Sequence, residues 1–323
     1  MNPLDELVIS VAVAYGYAVV MLPALRIRAS SGAVTSACAA IGPLCCPLLI
    51  SADQVILRAL AAVACTELPF KMLDYSRRWR QSSADVTIAA YFRFLIPFPV
   101  MLIVMSQRRR HSTWNGIQPQ EVLRAGFGAA CFASGFQLVH LVARLPLARS
   151  CFALDHAIKL VIFLITIEGL SQMLYGLERL AGYDTTPLVR WAFLSRTVAE
   201  FWYRYNTRVH TWLEHNVFRP SGGRHAPVRG ILLTFVVRAV HHEVMFAIAT
   251  SRLDGYQFTF FMSQALPVIL SRRLERYARR SGLLGDFLVR GSSIGWFYFT
   301  SMFFFHGVNR VFPFYYASEP WLP

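Results

Sequence analysis

Lysine is nearly missing from this chain. Of 323 residues only Lys71 and Lys159 are lysines, so the 32 basic residues, set against 18 acidic ones for a net charge of +14, are almost all arginine. Charge of any kind is scarce at 15% of residues, while 55% are hydrophobic and the mean hydropathy is +0.42. Soluble domains do not have such a composition, which points to a polytopic membrane protein. Nucleic-acid motifs are lacking and the arginines fall in short loops between apolar runs, so anionic lipid headgroups and a phosphate-rich substrate explain the charge better than RNA or DNA. The six cysteines (Cys38, Cys45, Cys46, Cys65, Cys131, Cys151) form no CxxC pair and have no His partners at metal spacing. They read as small apolar packing residues and set no redox compartment. There is no internal repeat, low-complexity tract or separable soluble domain, so residues 1–323 are expected to form a single integral membrane domain. A cleavable signal peptide is not expected, because the first apolar run follows only Met1 to Glu6 and reads as a signal anchor.

Apolar runs span Leu7–Leu25, Ala33–Ile50, Val55–Phe70, Ile88–Met105, Val122–Val142, Cys151–Leu174, Gly230–Thr250, Tyr256–Leu270 and Ser293–Phe312. Those near twenty residues are long enough to span and the shorter ones read as re-entrant or tilted. The fold class is therefore an all-α polytopic membrane protein with eight or nine transmembrane or re-entrant helices. Arg77, Arg78 and Arg80 in one loop and Arg108, Arg109 and Arg110 in the next would face opposite sides in a simple alternating count. A segment between them that does not cross would remove the conflict with the positive-inside rule. Polar residues inside apolar runs include Arg93, His140, Asp155, His156, Lys159 and Glu168. Taken singly these read as packed or paired, and the four-residue spacing of Asp155 and Lys159 predicts an ion pair.

The most informative stretch is Ser195 to Thr250. Thr197 followed by Glu200 reads as a capping box, and Pro220 with Ser221, Gly222 and Gly223 ends the segment, which predicts one amphipathic interfacial helix between them. On its wheel Phe201, Trp202, Tyr205, Val209, Trp212 and Leu213 share the apolar face, with Glu200, Arg204, Thr207, Arg208, Thr211, Glu214 and His215 opposite. Asn206 falls at the edge of the apolar face, where its amide needs a partner such as a backbone carbonyl. The next apolar run carries Arg238, His241, His242 and Glu243, ionisable groups that cost about 2.5–3.5 kcal/mol each at membrane depth. Such groups face a bundle interior or a wet cavity, and they mark the candidate functional site.

These residues resemble the membrane-bound O-acyltransferase superfamily: an Asn in an aromatic, Arg-bearing amphipathic segment (FWYRYN), a basic Pro-containing loop, then an apolar helix with a His-Glu pair (LLTFVVRAVHHEVMF). With the later Phe-rich helix they are most similar to the wax synthase branch. The specific likeness covers Ser195 to Thr250, and the remainder matches only as generic membrane helices. The resemblance places the catalytic His on His242, directly followed by Glu243, and the family's Asn on Asn206. His241 is the rival base. Arg238 stands four positions before His242 where relatives carry a small or hydroxylated residue. Its charge either favours the neutral, base-competent imidazole or marks a different substrate pocket.

The function implied is transfer of a fatty acyl group from acyl-CoA to the hydroxyl of a lipid alcohol, with Glu243 orienting the imidazole and no metal or prosthetic group. Trp202, Tyr205, Arg204, Arg208 and His306 are the candidate substrate contacts. The arginine fork suits phosphates, and the aromatic helix bearing His306 suits an acyl tunnel. A satisfied buried histidine is the plain alternative for His306. Arg272, Arg273, Arg276, Arg279 and Arg280 recur at helical spacing and serve as lipid anchors or as an acyl-CoA landing site. A membrane di-iron enzyme would need repeated HxxHH or HxxxH boxes that are not here. A transporter or channel remains the alternative, although repeat symmetry is not visible. Partners are acyl-CoA, a hydroxyl-bearing lipid or other small molecule and membrane lipids, and a bacterial inner membrane is favoured over the endoplasmic reticulum. Chain length, acceptor and oligomeric state are not written in the sequence.

Overall fold

The computed structural model describes residues 2–27, 31–81, 87–95, 116–183 and 185–316. Arg108, Arg109 and Arg110, the later part of Ile88–Met105 and the side chain of Arg93 lie outside the described residues, and with them the expectation of a non-crossing segment. Among the described residues there is no β-strand. The chain divides into two compact units, one of Met1–Arg108 with Val240–Gly255 and one of Arg109–Ala239 with Tyr256–Pro323.

The first unit opens with α1 (Pro3–Val20), where Asn2 accepts the Leu4 N–H at 3.1 Å, Pro3 needs no N–H partner, and Asp5 and Glu6 sit at the positive end of the helix. There follow α2 (Leu22–Leu25), α3 (Gly32–Ile41) with a 3₁₀ continuation Gly42–Leu49, α4 (Val55–Thr66), α5 (Leu68–Gln81) and α6 (Ile88–Leu95). Ala14, Ala18, Leu25, Met72, Tyr75 and Tyr91 are in its core. Polar groups drawn into that core are matched to backbone: Ser10 Oγ donates to Cys46 O at 2.8 Å and the buried Lys71 Nζ to Leu95 O at 2.9 Å. The apolar run expected over Val55–Phe70 is two helices, broken at Glu67. Pro69 lacks the N–H an unbroken helix needs there and instead fills the first turn of α5.

The second unit is built on α7 (Pro119–Val142) and α9 (Phe152–Leu180), joined by α8 (Pro146–Ser150). α7 and α9 meet through small residues, with Gly128 against Gly169 and Met173, Gly135 against Thr166 and Gly176 against Ala125. The expected ion pair is present and fully buried: Lys159 Nζ lies 2.8 Å from the Asp155 carboxylate. Beside it His156 Nδ1 is 2.6 Å from Tyr316 Oη, so the polar side of α9 holds the last described residues of the chain. Then come α10 (Val198–Arg204), α11 (Thr207–Leu213), a π turn Glu214–Phe218, α12 (Pro227–Thr250), which enters the first unit at Val240, and α13 (Tyr256–Val311). The two last expected spans are the ends of α13. Gly282 interrupts it with φ 59° and ψ −142°, a conformation open to glycine.

Among the described residues five helices are long and apolar enough to cross a membrane: Pro3–Val20, Gly32–Leu49, Pro119–Val142, Phe152–Leu180 and Pro227–Thr250. The chain is an all-α, multi-pass membrane protein.

Candidate active site

The capping box forms as expected: Thr197 Oγ1 accepts the Glu200 N–H at 3.2 Å, and Glu200 Oε2 accepts the Arg196 N–H at 2.9 Å. Burial by itself would raise the Glu200 carboxyl, but that N–H bond and the guanidinium of Arg204, 2.7 Å away, hold it below its ordinary value. The helix it starts does not run to Pro220. Tyr205 is extended and Asn206 left-handed (φ 52°, ψ 63°), so α10 ends and α11 begins at Asn206. Asn tolerates this region better than other non-glycine residues, and its Oδ1 caps the new helix by accepting the Val209 N–H at 3.3 Å. The partner of the half-buried Asn206 is thus an N–H rather than the carbonyl expected, and its amide nitrogen donates to no described residue.

This break invalidates the single wheel. Arg208, assigned to the polar face and to substrate, is buried; its guanidinium forms a two-pronged pair with Glu178 and its Nε donates to Thr186 O at 2.8 Å. Thr207 is also buried, with Oγ1 donating to Pro187 O at 2.7 Å. Arg204 stays partly exposed beside Glu200.

Trp202 is buried among Phe235, Phe260, Phe261 and Phe297, and the buried Arg238 guanidinium stacks 4.9 Å from the Trp202 ring. Trp202 Nε1–H has no hydrogen-bond partner among the described residues. Tyr205 packs against Trp202 and Phe201, and burial pushes its hydroxyl up to about 12. A cavity of about 270 Å³ opens between these elements, with Trp202, Tyr203, His210, Glu214, Phe235 and Arg238 among its walls. Burial and then the charge of Arg238 bring His210 down to about 4, so it faces the cavity as a neutral imidazole. Sequence reasoning gave His210 no place in the site. The bend at Asn206 turns it inward, and no local pattern announces that bend.

His306 is buried in α13 of the same unit, edge-on to Tyr256 at 4.5 Å. His241, His242 and Glu243 belong to the first unit. The His241 ring lies 4.9 Å from Phe70, edge-on, and 5.2 Å from the His242 ring. Glu243 is buried and its Oε1 accepts the Gly255 N–H at 2.7 Å, where Gly255 takes φ +80°. That carboxylate therefore ties down the turn after α12. Among the described residues no three His, Cys, Asp or Glu side chains converge as metal ligands.

The profile of the MBOAT, membrane-bound O-acyltransferase family matches residues 70–309, a stretch that contains Asn206, Arg238, His241, His242 and His306. The chain belongs to that family. It is 29% identical over 106 residues to a Glycine max protein named diacylglycerol O-acyltransferase 1C and 30% identical over 107 residues to diacylglycerol O-acyltransferase 1-1 of Oryza sativa subsp. japonica. A third relative, diacylglycerol O-acyltransferase 1 of Corylus americana, is 28% identical over 106 residues. Each match covers 32% of this chain and 18–19% of the relative, so the chain matches less than a fifth of the length of these curated relatives.

Proposed function

We propose that this MBOAT family member transfers a fatty acyl group from acyl-CoA to the hydroxyl of a lipid alcohol within the membrane. The observation that carries the reading is the family match over residues 70–309, which takes in both the Asn206 bend and the His241–His242–Glu243 triplet. His242, as the neutral imidazole, takes the hydroxyl proton while the alcohol oxygen forms a bond to the thioester carbonyl carbon. Collapse of the tetrahedral intermediate breaks the C–S bond, and the imidazolium returns the proton to the departing thiolate, releasing CoA as the thiol. Asn206 holds the thioester oxygen with the amide nitrogen that its capping role leaves over, a donation that strengthens as charge develops there. Trp202 Nε1–H, buried at the cavity wall, is a second donor for a ligand carbonyl. Tyr205 and Arg204 flank Asn206, and Arg238, His210 and the aromatic walls shape the cavity. His306 lines the apolar side where an acyl chain runs. No cofactor enters these steps. The arginine-heavy usage favours a bacterial inner membrane as its host.

The resemblance in FWYRYN and HHEVMF favours a long-chain fatty alcohol as acceptor, and the names of the relatives favour diacylglycerol. Release of free thiol from palmitoyl-CoA by the purified protein in lipid, with hexadecanol or dioleoylglycerol added, separates these. Thiol release that needs an acceptor, with the matching ester formed, supports acyl transfer and names the acceptor class. Inertness toward every donor and acceptor pair would turn the reading toward transport.

A further inference from the structure

The residues on either side of Asn206 are held from outside their own helices. Arg204 O accepts the Arg190 N–H at 3.0 Å, the Thr207 N–H donates to Leu188 O at 2.8 Å, Thr207 Oγ1 donates to Pro187 O at 2.7 Å, and Arg208 Nε donates to Thr186 O at 2.8 Å. All four contacts come from residues 186–190, a stretch that is neither helix nor strand. That stretch is fastened in turn to one face of α9. Trp191 N–H donates to Glu168 at 3.1 Å, Val189 N–H to Ser171 Oγ at 2.9 Å, and Thr185 Oγ1 to Glu178. Glu178 closes the loop of contacts, because it also receives both prongs of the Arg208 guanidinium, the two charges being buried together. Glu178 therefore touches the stretch and the helix that the stretch holds.

A left-handed non-glycine residue persists only where its surroundings over-determine it. Here they do: the chain is pinned before Asn206 at residue 204 and after it at residues 207 and 208, while Asn206 itself bonds only within α11, through its cap and the His210 N–H donated to its carbonyl at 3.0 Å. We infer that Glu178 and Arg208, acting through residues 185–191, are positioning residues that fix the Asn206 bend and so aim its amide. Neither touches substrate. The inference rests on the proposed role of Asn206, and the pair carries its charges for geometry rather than for binding phosphate. A point charge would not suffice, since the two prongs set orientation as well as attraction.

The test has two arms on full-length protein in lipid or detergent. In the first, hydrogen–deuterium exchange compares wild type with Glu178→Gln. Faster exchange confined to residues 185–191 and 204–210, with α9 residues 152–170 unchanged, is expected. Unchanged exchange in both stretches overturns the clamp. This arm needs no turnover, so it decides the clamp even where palmitoyl-CoA is not a substrate and the acyl-transfer reading has failed. The second arm measures kcat and KM for palmitoyl-CoA with the acceptor found above. Glu178→Gln is expected to lower kcat by about 10- to 100-fold, as small misplacements of a catalytic group do. In the Asn206→Ala background the same substitution is expected to cost nothing further. An equal fold-loss in both backgrounds overturns the assignment, because a purely structural lesion multiplies. Arg208→Lys serves where Glu178→Gln fails to fold: it keeps the charge, loses the fork, and should show the same dependence on Asn206.

Discussion

Two glycines two positions apart on α7 should respond oppositely to the same added methyl. At Gly126 a Cβ meets nothing within 4 Å, and the residue is exposed on a face open to lipid. At Gly128 it would stand 2.3 Å from Met173 N and 2.6 Å from Gly169 O, both backbone atoms of α9. Backbone cannot rotate aside as a side chain does, so α7 and α9 must part by roughly 1 Å, an overpacking that costs about 1–3 kcal/mol. Alanine's better helix propensity returns about 0.5–1 kcal/mol at either site. Gly126→Ala should therefore match or exceed wild type in Tm. Gly128→Ala keeps a net cost of up to about 2.5 kcal/mol and should melt below Gly126→Ala by up to several degrees, at the roughly 2–4 °C per kcal/mol of domains of 150–250 residues. Intrinsic tryptophan fluorescence during thermal unfolding in one detergent reads both. A Gly128→Ala Tm at or above that of Gly126→Ala would refute close backbone contact between the two helices.

The Asp155–Lys159 pair, buried with 2.8 Å between its charges, should cost about 3–5 kcal/mol when either partner alone is neutralised, as in Asp155→Asn or Lys159→Met, since the other charge is stranded. Asp155→Leu with Lys159→Met should recover most of the loss, and an additive loss in the Tm of the double variant would show that the pair is not coupled. His210 is held near 4, below its ordinary 6.5, so the unfolded chain takes up its proton first as the pH falls. The stability it lends is whole above about 6.5 and drains away toward about 4, and His210→Gln should flatten that part of a Tm-against-pH curve. A slope unchanged in the variant would mean that His210 is not the group responsible.

Much of this molecule is legible from short-range pattern. The Thr197–Glu200 box, the i to i+4 pair on α9, and the apolar runs of α1, α7, α9 and α12 each depend on residues within a turn or two of one another, and each is where the sequence puts it. The break between α4 and α5 was within reach too, since Pro69 stands inside the run. The Asn206 bend was not. It depends on residues 186–190 and on Glu178, thirty positions before Arg208, and a helical wheel has no access to such pairings. For that reason Arg208 reads from sequence as a polar-face residue and proves to be internal, and His210 is given no place in the site. The hold of the Glu243 carboxylate on the Gly255 N–H, twelve positions ahead, is likewise beyond a helical pattern.

Acyl transfer with His242 as the base is open to one assay. Thiol release from palmitoyl-CoA with the preferred acceptor, measured for wild type, His242→Ala and His241→Ala at matched folding by thermal unfolding, tests it most directly. Acceptor-dependent release is expected in wild type, with loss of at least about 100-fold in His242→Ala, as for removal of a general base, and a far smaller loss in His241→Ala. Equal activity in wild type and His242→Ala, or abolition by His241→Ala alone, would contradict it.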